Sequence, residues 1–167
     1  MESWYSSKGE RFCLASLLEE SQHLGCSSKN KALISHFPFW CILCKNGGES
    51  IDRIILHCNF ISYILNKVGE EFEVIGARPS SWHDLLGMEW QFIGNNKKSK
   101  MLWRCCLALS WCIWQERNAR VFEDKSCEEA EVWSRIKLLA STWARASNIF
   151  GDLYISDLYF NWGAAIQ

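Results

Sequence analysis

The chain has 167 residues, of which 49% are hydrophobic, and its formal net charge is -1. This length and this hydrophobic content predict one folded domain, or a small module joined to a helical body, and they exclude a disordered chain. Because the net charge is close to zero, no global basic field recruits nucleic acid, and any contact with nucleic acid has to be local.

The chain lacks the patterns typical of secretion or membrane insertion. Its start, MESWYSSKGERFCLASLLEE, carries charges throughout, and its longest apolar run, at 101–114, is interrupted by Arg104 and Ser110. A run of that length predicts a buried helix, since a membrane span needs about 20 apolar residues. We therefore expect an intracellular protein, nuclear or cytoplasmic, with no signal peptide, no transmembrane segment and no membrane partner.

The first clear helical pattern lies between Asn59, a candidate N-cap, and Gly69, a candidate helix end. Apolar residues recur between them at helical spacing: Phe60, Ile61, Ile64, Leu65 and Val68. Further along, Ser81 and Asp84 have the spacing of a capping signal before a short helix. The basic stretch that follows, at 94–100, is predicted to be a loop.

Two longer helices are predicted in the second half of the chain. The first runs from Met101 to about Phe122 and is apolar most of the way round, which is typical of a buried helix. Its cysteines are expected to act as small buried hydrophobic residues: Cys105, Cys106 and Cys112. The second helix is amphipathic and opens with a capping box from Ser126 to Glu129. The tail from residue 151 is predicted to be a short strand or an irregular segment.

The strongest chemical signal is a group of cysteines before the first predicted helix. Cys41 and Cys44 form a C-x2-C pair, Gly47 and Gly48 let the chain turn back, and Cys58 returns as a third sulfur. Zinc prefers thiolate ligands, and a closed structural site needs four ligands, of which these supply three. A chance pair in a chain of nine cysteines is the alternative. The predicted fold class is mainly α: a helical domain with a small irregular zinc-knuckle-like loop.

The stretch FPFWCILCKNGGESIDRIILHCNF resembles the zinc-binding domain that lies C-terminal to the reverse transcriptase in plant LINE-type non-LTR retrotransposons. That family's pattern is C-x2-C-x8-H-x4-C, with Glu-Ser or Glu-Thr before the histidine. Five residues of this chain fall on it: Cys41, Cys44, Glu49, Ser50 and Cys58. The stretch ALSWCIWQERNARVF, at 108–122, is similar to the family's next block, a Trp-rich helix. The resemblance implies a zinc-binding module that is accessory to reverse transcription.

The chain departs from the family's pattern at the histidine, where it has Arg53. Arginine stays protonated and does not bind zinc. Candidates for a replacement ligand are His57, Asp52, His36 and a water molecule. His57 is the nearest, but it adjoins Cys58, and neighbouring side chains usually point apart. The predicted metal ligands are therefore the three cysteines and His57, with restoration of the histidine (Arg53→His) expected to tighten zinc binding.

No group of residues predicts catalysis. The chain has no adjacent Asp-Asp pair for two-metal polymerase chemistry, no Gly-rich phosphate loop, and no HExxH or GxSxG motif. Serine, histidine and aspartate do occur together in SSWHDLL, where helix capping explains them. We therefore expect neither an enzyme nor a small-molecule substrate.

Two basic patches are candidate contacts for RNA or single-stranded DNA. Arg117 and Arg120 are three residues apart, on the same surface of a predicted helix, and are suited to contact phosphate. The alternative is a charged helix end in which Glu116 offsets the two arginines. The second patch is a group of lysines that is otherwise a solvated loop: Lys97, Lys98 and Lys100.

These predictions divide the chain into three parts. Residues 1–32 do not match the family, 33–78 are expected to form the zinc-knuckle-like module with its helix, and 79–167 a Trp-rich helical body. The expected function is that of a non-catalytic zinc-binding accessory domain, derived from a retroelement polyprotein, that contacts nucleic acid. The alternative is a metal-free helical protein that binds other proteins or itself through exposed Trp and Cys surface.

Overall fold

The computed structural model describes residues 40–74, 79–82, 84, 96–151 and 153–165. A π-helical turn, Arg53–His57, precedes the helices of the fold, which are α1 (Asn59–Phe72), α2 (Lys97–Phe122), α3 (Glu129–Ala146), α4 (Ile155–Phe160) and α5 (Trp162–Ala165). The described residues contain no strand, which confirms the mainly α fold class. Among them, no helix combines the length and the apolar character that crossing a bilayer requires.

Helix α1 differs from its prediction at both ends. Cys58, and not Asn59, is the N-cap, because its sulfur accepts a hydrogen bond from the Ile61 amide at 3.5 Å. The helix also continues through Gly69, the predicted end, to Phe72. Phe72 is fully buried, and this burial outweighs the modest cost of a glycine within a helix.

Helix α2 begins four residues before its predicted start. The side chain of Asn96 accepts a hydrogen bond from the Ser99 amide at 2.8 Å and caps the helix, which starts at Lys97. The lysines of the predicted loop therefore occupy the first turn of α2. Asparagine is a strong N-cap residue, and this local hydrogen bond decides the structure of a stretch whose polar composition suggested a loop.

The core lies where α2 packs along α3 and where α1 contacts both. As predicted, α2 is buried on most sides, and its buried positions include Cys105 and Cys112, while Cys106 packs against the core from a half-buried position. The thiols inside α2 thus serve as small hydrophobic residues.

The capping box predicted at Ser126 is wrong. Helix α3 begins at Glu129, after Glu128 as an N-cap that makes no side-chain capping bond. The Cys127 amide instead donates to Glu116 Oε1 of α2 at 2.8 Å. This bond holds the connection between the two helices in a non-helical conformation against α2.

The C-terminal tail forms α4 and α5 and not a strand or an irregular segment. Trp162 explains this difference, since its ring is 1% exposed and lies 5.5 Å from the Phe72 ring and 5.9 Å from the Trp133 ring. Its indole nitrogen donates to Ser141 Oγ at 2.9 Å. Tertiary burial of one large aromatic side chain therefore fixes a segment that has little helical pattern of its own.

Candidate metal centre

Three of the predicted metal ligands come together in the structure. The sulfurs of Cys41, Cys44 and Cys58 all lie within 4.8 Å of one another, and these residues form the metal-ligand cluster found among the described residues. Cys41 and Cys58 are buried, whereas Cys44 is half-buried. A cluster of this composition is suited to a thiophilic metal ion such as zinc.

The backbone around the cysteine pair is a tight turn. The Cys41 amide donates to Gly47 O at 2.7 Å, and the Lys45 amide donates to Cys41 O at 2.7 Å. Lys45 and Gly47 both have positive φ, at 54° and 61°. A Cβ at Gly47 would meet only the guanidinium of Arg53, the movable end of a long side chain, so it is the positive φ that favours glycine there.

Burial acts on the pKa of all three thiols and dominates at two of them. It raises the pKa of Cys58 to about 12 and also raises the pKa of Cys41. Burial acts on Cys44 in the same direction, but hydrogen bonds with the Asn46 backbone and the Cys41 thiol outweigh it, so the pKa of Cys44 is lowered. Thiols bind metal as thiolates, so metal binding is coupled to proton release, and the raised pKa values of Cys41 and Cys58 make that release costly.

The other candidate ligands have partners elsewhere. His57 is exposed and outside the cysteine cluster, with its Nε2 3.0 Å from Ser80 O. Asp52 Oδ1 accepts a hydrogen bond from the Trp82 amide at 2.6 Å. The guanidinium of Arg53 packs over Gly47, and His36 lies outside the described residues.

The partners of His57 and Asp52 belong to a short segment whose capping is confirmed. The Asp84 amide donates to Ser81 Oγ at 3.0 Å, and the Ser81 amide donates to Asp84 Oδ2 at 3.1 Å. These reciprocal bonds are those of a capping box. They show Ser81 and Asp84 of this stretch acting as capping residues.

Arg120 connects α2 to the turn between the first two cysteines. Its Nε donates to Glu116 Oε1 at 2.8 Å, its Nη1 to Leu43 O at 2.8 Å, and its Nη2 to Cys127 O at 3.0 Å. The guanidinium also lies 4.7 Å from the centre of the Phe60 ring. One arginine thus ties together α2, the start of α1, the cysteine turn and the connection to α3.

Arg117 makes a second connection to the same turn. It donates through Nε to Glu49 Oε1 at 2.6 Å, and Glu49 Oε2 accepts a hydrogen bond from the Ile42 amide at 3.3 Å. The pair joins residues 68 positions apart in the sequence. Glu49 belongs to the family motif, but no local sequence pattern pairs it with Arg117 over that distance.

These contacts bear on the predicted nucleic-acid residues. The side chains of Arg117 and Arg120 are 9% and 13% exposed, and both are engaged within the chain. Lys98 Nζ lies 3.5 Å from Glu73 Oε2, and Lys97 Nζ lies 6.0 Å from the centre of the Phe150 ring. Lys100 is half-buried in the same first turn of α2. Lys97 and Lys98 are therefore more exposed to solvent than either arginine.

Comparisons with protein-family models, with curated proteins and with solved structures found no match to this chain. The resemblance to the retroelement domain accordingly rests on the motif residues themselves. The features of the chain that bear on function are the cysteine cluster and the charged side chains that hold it.

Proposed function

We propose that the chain is a non-catalytic zinc-binding domain in which the metal fixes the cysteine turn against the helices. The observation that carries this proposal is the convergence of three sulfurs, from Cys41, Cys44 and Cys58, within 4.8 Å. Two of them come from one tight turn and the third from the N-cap of α1. Zinc held there is structural, and it links two segments that are otherwise joined by hydrogen bonds.

Water suits the fourth position beside the three described sulfurs, and His36, the other candidate from the sequence, lies outside the described residues. Asp52 and His57 are turned to the segment at 79–84, and Glu49 is paired with Arg117. A site with three thiolates and one weaker ligand binds zinc less tightly than a site with four protein ligands.

The experiment for this function measures zinc per chain in protein purified without a metal-binding tag. We expect about one zinc per chain, as in a structural site, and loss of that zinc when Cys41 and Cys44 are both replaced by serine. Replacement of Cys106, a half-buried thiol outside the cluster, provides the control. Absence of zinc from the unmodified protein would contradict the proposal.

We further propose that the domain descends from a retroelement polyprotein and contacts RNA or single-stranded DNA through the first turn of α2. The support is the motif resemblance together with three lysines in that turn: Lys97, Lys98 and Lys100. Replacing all three by glutamine is expected to weaken a salt-sensitive interaction with RNA. Lys125, whose side chain is 73% exposed outside this turn, is the control position. No binding by the unmodified protein at low salt would remove this part of the proposal.

A second candidate function is self-association without metal. It is favoured by aromatic side chains that are exposed near the C-terminus, where Tyr154 and Phe160 are each 74% exposed. Replacement of both by serine is expected to convert an oligomer to a monomer in analytical ultracentrifugation. A monomer before the replacement would exclude this function.

A further inference from the structure

The two residues between Cys41 and Cys44 are each held by a charged side chain from outside the turn. Arg120 Nη1 donates to Leu43 O at 2.8 Å, and Glu49 Oε2 accepts from the Ile42 amide at 3.3 Å. Glu49 is in turn held by Arg117. The first and the last of the three peptide groups between Cys41 and Cys44 are therefore held by side chains tied to α2 before any metal arrives.

We propose that Arg120 is a positioning residue for metal binding, and that the end of α2 and the cysteine turn form one coupled unit. This inference rests on the proposed function, because it concerns how the metal site is held. The directions of the two sulfurs depend on the orientation of the peptide groups between them. Fixing those groups in advance lowers the conformational entropy that is lost when the metal binds.

The geometry assigns this role to the arginine fork. Its three nitrogens reach three different oxygens, on Glu116, Leu43 and Cys127. Lysine has one nitrogen on a flexible stem and cannot replace these bonds together. Glu116 is 1% exposed and is fixed by the Cys127 amide, so the guanidinium is anchored on a rigid, charged partner.

Coupling between the turn and α2 is reciprocal. If Arg120 helps the turn to bind metal, then metal in the turn stabilises the bonds that Arg120 makes on its other side. Those bonds include the connection to Cys127, which lies at the start of the segment leading to α3. The amide of Cys127 is therefore a reporter of metal binding that touches no metal ligand.

The first experiment compares zinc affinity in the full chain and its variants. Loss of an outer contact of a metal site typically lowers affinity about 10- to 100-fold, and we expect a loss in that range for Arg120→Gln and a smaller loss for Arg120→Lys. The matched control is Lys137→Gln, which breaks a partly buried ion pair with Glu71 away from the cysteines, at 3.1 Å. The zinc affinity of Lys137→Gln is expected to stay within about threefold of that of the unmodified protein. This is well below the roughly 10- to 100-fold loss that is typical when an outer contact is removed.

The second experiment measures hydrogen exchange of the Cys127 amide with and without a chelator. Removal of zinc is expected to speed exchange in the unmodified protein and in Lys137→Gln, and to have no effect in Arg120→Gln. If the role of Arg120 were purely structural, Arg120→Gln would change the exchange rate of the Cys127 amide. Removal of zinc would still speed that exchange.

The outcomes separate the two proposals. Equal zinc affinity in the unmodified protein and in Arg120→Gln overturns the positioning role alone, as does exchange at Cys127 that still depends on zinc in that variant. Absence of zinc from the unmodified protein overturns the proposed function and the positioning role with it. If Arg120→Gln does not fold, the intermediate affinity expected for Arg120→Lys decides the question.

Discussion

The two ends of the helical core are held together by different kinds of contact. The thiol end consists of Cys41, Cys44 and Cys58 with the charged side chains behind them, and its partners meet through hydrogen bonds and ion pairs. The tryptophan end consists of Phe72, Trp133 and Trp162, whose rings pack on one another in the core.

This difference predicts how each end depends on conditions. Burial of apolar rings stabilises the fold without any ligand. The thiol end contains buried charged groups, which are stable only when their hydrogen bonds are well formed. Burial there also raises the pKa of two thiols, Cys41 and Cys58. Its stability therefore depends on these polar contacts and, in our proposal, on a metal ion. Removal of metal should loosen the thiol end and leave the tryptophan end folded.

The largest effect is expected from a change at the tryptophan end. Trp162→Ala removes the ring that contacts both Phe72 and Trp133, and such a truncation costs about 3–5 kcal/mol. Urea denaturation, with zinc present and with a chelator present, measures the loss in the free energy of unfolding. We expect that loss to be similar under both conditions. A loss that appears in zinc alone would show that the two ends are not independent. Trp162→Phe, which retains a ring, serves as the milder control.

The second prediction concerns the thiol end and isolates the metal ligand from the helix cap. Cys58→Ser removes a thiolate but keeps an oxygen that can accept the Ile61 amide, since serine is a favoured N-cap. We expect zinc affinity to fall by about 100-fold or more, beyond the range for outer contacts. Helix α1 should remain intact, as judged by circular dichroism in chelator.

Cys105→Ser provides the matched control for this variant. Cys105 is fully buried in α2 and outside the cysteine cluster. Serine there places a hydroxyl in the apolar core, so this variant is expected to lose stability and to keep its zinc. Zinc retained by Cys58→Ser, or lost by Cys105→Ser, would contradict the assignment of the ligands.

The two ends also differ in how much of their structure could be predicted from the sequence. The cysteine spacing predicted that the sulfurs of the thiol end meet, because two glycines and a helix start bring Cys58 back to the pair. The helical class and the buried thiols of α2 followed from apolar patterning. At the tryptophan end, the tail was predicted as a strand or an irregular segment. Its helices depend on burial of Trp162 against distant residues, which no local pattern reveals.

Of the polar contacts behind the thiol end, the sequence offered the pairing of Glu116 with Arg120 as an alternative, whereas the longer-range contacts were hidden. Arg117 and Arg120 were predicted to contact phosphate, with a charged helix end as the alternative. The structure gives each an acidic partner, and the partner of Arg117 lies 68 positions away. A surface helix end and a buried anchor share the same sequence pattern, since the pattern does not show what packs against it.

The third prediction concerns a substitution that strengthens the thiol end. Arg53→His places an imidazole where the resembled family has its ligand, and we expect zinc affinity to rise by about tenfold, or 1.4 kcal/mol. Competition with a chromophoric chelator measures the change. Arg53→Gln is the control, because it removes the guanidinium over Gly47 without adding a ligand. Equal affinities for histidine and glutamine would contradict the alignment of Arg53 with the family's histidine.

The smallest effect is expected at His57, which the sequence offered as a fourth ligand. Its ring is exposed and its Nε2 lies 3.0 Å from Ser80 O, so His57→Ala breaks one surface contact. Zinc affinity should then change by less than about threefold, well under the 10- to 100-fold loss typical of outer contacts. A loss of tenfold or more, measured by the same chelator competition, would require the ring to turn from Ser80 towards the sulfurs when the metal binds. His57 would then be the ligand that completes the thiol end, and the segment at 79–84 would be released in exchange.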